Sequence, residues 1–311
     1  MVVPTATPTA EPVTRKVAVI VNPVSCPNGI EQFESAVRQE FERHQIDWSA
    51  VHTSESVNAS TLAKRAVDSG VAMVVAAGGD GTVMEAMNAL IGTDVPLGVI
   101  PLGTGNLLAV NLAIPLDLAG AVDTALSGTP KRIDVVRVND GEKYFAIMGG
   151  LGFDARIMAK TDRASKQRFG RCAYLWTAIK ERRSQRFQVS VSLDGGAPIH
   201  LKAKSVLIGN LAQIAPNVRL FDNTAPDDGL IEVGLLKANS VEDFVRLGWR
   251  TLIGRPADDP QFDAYQARRV EIVARRPEPI EYDGDSAGMA RRLSLTVASK
   301  AVAVMVPKSA D

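Results

Sequence analysis

Residues 74–90 read VVAAGGDGTVMEAMNAL: a short apolar run, a turn of three glycines around one aspartate, and an amphipathic continuation. The apolar run at 71–77 has the length of a buried strand. Gly78, Gly79 and Gly81 then force a turn, and Val83, Met87 and Leu90 recur at i, i+4 and i+7, the spacing of one helical face. The first N–H groups of such a helix lack intrahelical partners and lie at the positive end of its dipole. Glycines let a ligand approach the main chain, so the turn suits an anion, above all a phosphate. Asp80 adds a carboxylate, which beside phosphates makes most sense with a cation such as Mg²⁺ between them. Thr82 and Glu85 also spell T-x-x-E, a capping box that needs no ligand. Three glycines around an aspartate exceed what a cap requires.

Outward from this turn the same grammar repeats. Residues 16–21 (KVAVIV) form a β-branched strand that runs into the turn-rich loop 22–29, with helical spacing of Phe33, Val37 and Phe41 after it. Residues 48–51 make a second strand ending at His52-Thr53-Ser54, and residues 62–67 belong to a helix. Residues 95–100 are another strand, followed by PLGTGN at 101–106 and a helix through Leu112. Repeated strand–loop–helix units imply a parallel sheet flanked by helices, whose strand-to-helix loops share one edge. Loop 22–29, Thr53, loop 78–82 and loop 103–106 should therefore converge on one crevice. Past about residue 131 the texture changes to IDVVRV, KYFAIMG, FQVSVSL, IHLKAKSVLIGN, LIEVGLL, RRVEIVA, LSLTVA and AVAVMV. These β-branched segments imply a β-rich second domain, an antiparallel sandwich, with helices at 173–183 and 241–252. The expected division is a disordered tail at 1–14, a nucleotide-binding α/β domain at 15–136 and a β-rich substrate domain at 137–300. Residues 301–311 form a last strand and tail able to return to the first domain.

The chain has 311 residues, 46% hydrophobic and 23% charged, with zero formal net charge. This is an ordinary globular composition, and it gives no field that would favour nucleic acid. Cys26 and Cys172 supply neither a disulfide framework nor a metal spacing, so a reducing cytoplasm is the default compartment. No apolar run approaches the ~18 residues of a membrane span. Residues 160–186 carry nine Lys/Arg against two Asp/Glu, with Phe169, Tyr174 and Trp176 among them. Together with the Arg- and aromatic-bearing stretch 241–255, this segment could contact an anionic membrane surface or simply be a solvated face. Oligomeric state is open, a homodimer included.

Several chemistries are excluded. There is no Gly-Lys dipeptide for a Walker-type loop, and Leu108 occupies the place of a third dinucleotide-fingerprint glycine. His44, His52 and His200 sit near no nucleophile elbow, and no Cys/His cluster suggests zinc.

GGDGTVMEAMNAL, PLGTGNLLAVNLAIP, APDDGLIEV and YDGD, in that order, resemble the diacylglycerol kinase catalytic-domain family, in particular its soluble bacterial lipid kinases. The resemblance runs from about residue 17 to residue 307. It implies transfer of the ATP γ-phosphate to the hydroxyl of diacylglycerol or a related lipid alcohol, with Mg²⁺, between the two domains. Asn22, Pro23, Val24, Ser25, Thr53, Gly78, Gly79, Asp80, Gly81, Thr82, Val83, Met84, Glu85, Gly103, Thr104 and Asn106 would then hold ATP. Asp80 would lie near its phosphates and the cation. A structural Mg²⁺ would use Asp228 with the carbonyls of Ala225 and Leu230. Family members usually end in Asp-Gly-Glu, whose last carboxylate is the proposed general base. Here the motif is Asp283-Gly284-Asp285, making Asp285 the base with Asp283 close behind. Asp-Gly equally suits a plain hairpin turn. The sequence departs from the pattern at Cys26-Pro27-Asn28, which delays a glycine to Gly29, and at Met84, Leu107 and Asp285. Two other readings remain: a kinase of a soluble acceptor such as an NAD kinase, and a nucleotide-binding regulatory protein on the same scaffold.

Overall fold

The computed structural model describes residues 16–308 except residues 27–28, 142, 153–185, 216–217, 222–223, 239–242 and 244–258. The expected helices at 173–183 and 241–252, and nearly all of both membrane-contact stretches, lie outside the described residues.

Three apolar runs and the half-buried WSAVH segment become four parallel strands: β1 (Val17–Val21), β2 (Trp48–His52), β3 (Met73–Gly78) and β4 (Leu97–Pro101), in the order β2-β1-β3-β4. Helices α1 (Ile30–Arg43), α2 (Ala59–Asp68), α3 (Asp80–Leu90), α4 (Leu107–Asn111) and α5 (Leu118–Ser127) alternate with them. Both faces of the sheet are covered, which is why its strands read as continuous rather than alternating apolar runs. Val19, Val21, Val75, Ala77 and Ile100 share a core with Phe33, Val37 and Phe41 of α1 and with Ala121, Val122 and Ala125 of α5. Ala18, Ile20, Val74, Ala76 and Val99 share the other with Ala59 and Ala63 of α2 and with Met87 and Leu90 of α3. Helix α5 was not anticipated from the sequence. Its signal is Asp117, whose Oδ1 accepts the Gly120 N–H at 2.9 Å as an N-cap.

The second half is β-rich. It comprises β5 (Thr129–Val138), β6 (Lys143–Phe145), β7 (Met148–Leu151), β8 (Phe187–Leu193), β9 (Ile199–Ala203) and β10 (Ser205–Gly209). After these come β11 (Gln213–Ala215), β12 (Val218–Arg219), β13 (Ile231–Leu236), β14 (Phe262–Ala267), β15 (Arg269–Tyr282) and β16 (Asp285–Val306). Pairing here is antiparallel along the path β14-β13-β10-β7-β15-β16. A core of Val136, Phe145, Leu151, Ile208, Val233, Ile272, Leu293 and Leu295 fills it. LSLTVA and AVAVMV are not separate strands but the two ends of β16, joined through a register shift between Ala298 and Val302. Lys300 takes φ 51° in this irregularity. Beyond it Val304 pairs with Leu97 of β4, in parallel, so one hydrogen-bonded sheet runs through both halves. Strands β5 and β16 cross the expected boundaries at 136/137 and 300/301. Among the described residues no helix is long and apolar enough to cross a membrane.

Candidate active site

Strand β3 ends at Gly78 and α3 begins at Asp80, with Gly79 as a cap that has no side chain to spend on the first-turn N–H groups. The capping box does not form. The helix starts two residues before Thr82, and the Glu85 carboxylate turns to α2, where it accepts the Ala59 N–H at 3.0 Å. Asp80 ties this turn to the next loop. Its Oδ2 accepts the Asn106 N–H at 2.9 Å, and its Oδ1 accepts the Leu107 N–H at 2.6 Å. Asn106 adopts a left-handed φ of 48° and closes its own loop, accepting from Gly103 N at 2.8 Å and donating to Gly103 O at 2.9 Å. A Cβ on Gly103 would stand 2.7 Å from the Gly79 Cα, and one on Gly105 2.7 Å from Asp80 Oδ2. The glycines of the two motifs therefore let two backbones touch.

Gly81 is different. It is exposed, and a Cβ there would meet nothing within 4 Å. Alanine in the first turn of a helix has the better intrinsic propensity, by about 1 kcal/mol. If phosphates lie against this turn, Gly81→Ala should leave the thermal midpoint unchanged or raised while weakening ATP binding about tenfold or more. Unchanged ATP affinity in a titration would place the nucleotide elsewhere.

The loop after β1 joins from the other side. Asn22 Oδ1 accepts the Val24 N–H at 3.1 Å, and its amide donates to Thr82 Oγ1 at 3.1 Å. Thr53 N–H donates to Val21 O at 2.9 Å, which places Thr53 just beyond the end of β1. Val24 and Thr104 are exposed, whereas Pro23 and Ser25 are half-buried. Val83 and Met84 are buried instead, Met84 at 6% exposure in the core shared with α2. Helix α3 buries Thr82, Val83, Met84, Ala86, Met87 and Leu90, a face too wide to leave the Met84 side chain for a ligand groove. This explains why a thioether is tolerated where the resemblance leads one to expect an amide.

The β15–β16 hairpin supplies the opposing wall. Tyr282 pairs with Asp285 across a two-residue turn in which Asp283 has φ 50° and Gly284 φ 92°, the positive-φ pair of a tight hairpin. The Asp283 carboxylate is committed: Oδ2 accepts from Ala146 N at 2.9 Å, and Oδ1 from Ile147 N at 2.8 Å and Met148 N at 3.0 Å. KYFAIMG is therefore broken into β6 and β7, because the amides at its centre serve a carboxylate 135–137 residues away. Burial pushes the Asp283 pKa up to about 6; the three N–H groups oppose this shift, and the nearby Asp80 charge adds to it. The GGDG turn and the hairpin thus face each other closely enough for their carboxylates to repel. Asp285, one position beyond, is exposed, and none of the described side-chain hydrogen bonds involves it.

Because the folded pKa of Asp283 lies above an ordinary carboxylate's, the folded chain holds this proton more tightly than the unfolded one. Its stabilising contribution is complete at about pH 4 and is lost as pH rises through about 6. Asp283→Asn cannot ionise and lacks that window, so the difference between the two proteins' urea midpoints should change from pH 4 to 7, the parent losing stability relative to the variant as pH rises through about 6. A difference independent of pH would show that Asp283 titrates normally.

At the DDG motif the Asp228 carboxylate accepts Ala225 N–H at 3.0 Å and Leu230 N–H at 2.9 Å, closing the turn with its own backbone. Among the described residues no group of three or more His, Cys, Asp or Glu is placed to hold a metal. The sequence reading missed Asp134 and Asn210. Asp134 is fully buried, accepting from Gly229 N and Lys300 N at 2.6 Å each. Asn210 donates to the carbonyls of Asp134 and Ala146 at 2.8 and 2.9 Å. The pair locks the DDG turn, the β16 irregularity and the 146–148 segment together beneath the hairpin.

Two family models match: a diacylglycerol kinase catalytic domain over residues 16–138, and a YegS C-terminal NAD kinase beta sandwich-like domain over residues 148–306. An uncharacterized protein of Synechocystis sp. is 27% identical, over 86% of this chain and 65% of its own length, so the chain spans just under two thirds of that relative. A diacylglycerol kinase of Bacillus subtilis is 29% identical, over 88% of this chain and 91% of its own. The crystal structure of a diacylglycerol kinase from Bacillus anthracis superposes with a TM-score of 0.78 at 22% identity, covering 94% of this chain and 97% of the other, a likeness of fold.

Proposed function

This chain belongs to the diacylglycerol kinase family, and we propose from that premise that it moves the γ-phosphate of ATP onto the hydroxyl of a lipid alcohol. Membership makes it a phosphotransferase with an alcohol group as acceptor. The observation that carries the finer reading is the joining of two glycine turns at one helix N-terminus, where Asp80 accepts the N–H groups of Asn106 and Leu107.

Phosphoryl transfer asks for charge neutralisation and in-line positioning more than covalent help. The α3 N-terminus fits the phosphates: its cap is a glycine, its first turn is open at Gly81, and its dipole points the right way. Asn22, through Thr82, and Asn106, through Gly103, hold the flanking loops in place. Mg²⁺ fits only in the sparse manner common for nucleotide-bound magnesium, which keeps several waters. Both Asp80 oxygens already accept backbone N–H groups and offer their remaining lone pairs, and the Asp228 turn is closed by its own amides. When bound, the cation would neutralise phosphate charge. Asp283 positions the hairpin, and Asp285, which takes part in no side-chain hydrogen bond among the described residues, is the group free to take the proton of the acceptor hydroxyl.

The family model that matches the second half is described as NAD kinase beta sandwich-like, which keeps a soluble acceptor as the rival reading. Incubation with γ-labelled ATP, Mg²⁺ and a panel of diacylglycerol, other lipid alcohols and NAD separates the two. Label is expected in an organic-soluble product. Label on NAD alone would establish the rival, and ATP binding without transfer would favour a regulatory role.

A further inference from the structure

We infer that the base of the β15–β16 hairpin, on the face it shares with β8 and β9, is a docking surface for anionic phospholipid headgroups. A groove there is lined by Lys202, Arg275, Arg291 and His200, with Gln188 and Ser190 between them and no carboxylate. In a chain of 35 Lys/Arg and 35 Asp/Glu, a groove whose charged lining residues, among those described, are all cations is a local segregation of charge. Arg276 and Arg292 are exposed beside it; of the β15 acids, Glu271 pairs with Arg269, and Glu278 lies close enough to Arg276 to feel its charge. Arg275 donates to the neutral Gln188 amide at 3.2 Å and Arg291 to the Ala274 carbonyl at 3.2 Å. Among the described residues these cations are oriented but not neutralised.

A second observation separates a membrane from a polyanion in solution. Met289, 62% exposed, is one of three large hydrophobic side chains left exposed among the described residues, and it lies on the same hairpin between the cations and the turn. A thioether beside a row of guanidinium groups suits an interface in which one side chain enters the acyl boundary while the others meet headgroup phosphates. The spacing is also right. At ~3.3 Å per residue, Met289 lies roughly 13 Å along the strand from Asp285, and Arg291 roughly 20 Å. A hairpin lying against the bilayer would therefore bring its tip to a hydroxyl at the headgroup level.

This inference rests on the lipid-kinase reading, and its test distinguishes the two. Cosedimentation with vesicles of phosphatidylglycerol and phosphatidylcholine, against phosphatidylcholine alone, reads docking. Turnover on a dispersed short-chain diacylglycerol reads the chemistry. Lys202→Glu/Arg275→Glu/Arg276→Glu should lower affinity for the anionic vesicles at least roughly 100-fold, about fivefold per cation removed, with the repulsion of the new carboxylates added. Met289→Ser should weaken it while leaving its salt dependence intact. Both variants should keep the thermal midpoint and the short-chain turnover of the parent. Vesicle binding retained by the triple variant would overturn the proposal. So would binding lost only on reversing Arg182 and Arg183, or a groove that takes up heparin but no vesicle. Absence of turnover on every lipid with docking intact would instead fail the kinase reading.

Discussion

Asp285→Asn is expected to lower kcat by about 10²–10⁴ while leaving ATP affinity within twofold of the parent. The proposed site draws on three carboxylates, and their bonding separates their roles. Asp80 holds the Asn106 and Leu107 amides, and Asp283 holds those of Ala146, Ile147 and Met148. Removing either would disturb loops as well as chemistry. Asp285 is exposed and untethered on the strand leaving the turn, so its amide variant should fold as the parent does. A split between unchanged nucleotide binding and collapsed turnover is what loss of a base produces. Full turnover by Asp285→Asn would remove the assignment, and a matching loss of ATP affinity would make Asp285 a nucleotide ligand instead.

The second large effect is on stability. Asp134→Ala should destabilise the fold by about 2–4 kcal/mol in urea titrations at neutral pH, because it leaves two part-buried backbone N–H groups without their charged acceptor. Those groups belong to Gly229 and Lys300, and the carbonyl of Asp134 is clasped by Asn210, itself 1% exposed. The change should therefore act on three segments at once. Asp134→Asn, which keeps one acceptor oxygen, should cost about half as much. A loss below about 1 kcal/mol for the alanine variant would mean that water or a relaxed backbone replaces the carboxylate.

The parallel half was readable because its chemistry is local. Each wholly buried strand must be an apolar run, and each strand-to-helix turn must carry its own glycines, so GGDG and PLGTG announced themselves. What escaped was long-range. The interruption of KYFAIMG depends on a carboxylate at position 283, and nothing within the segment records it. Asp134 reads as an outward residue in IDVVRV, yet it is fully buried because two irregular backbone segments deliver amides to it. LSLTVA and AVAVMV read as two strands because Ser299 and Lys300 look like a turn. They are instead a bulge inside one strand that ties both halves together. Met84 drew attention as a departure from a family pattern, and the burial of most of α3 accounts for it. Asp285 was legible as a residue, but its freedom beside two tethered aspartates was not.

The most direct measurement is hydrogen–deuterium exchange with and without ATP and Mg²⁺, followed by addition of a short-chain diacylglycerol. ATP with Mg²⁺ should slow exchange at the amides of residues 79–82 and 103–107, and the lipid should extend protection to the hairpin around residues 283–286. Protection absent from residues 79–82, or a hairpin indifferent to lipid, would contradict a site shared between the two halves.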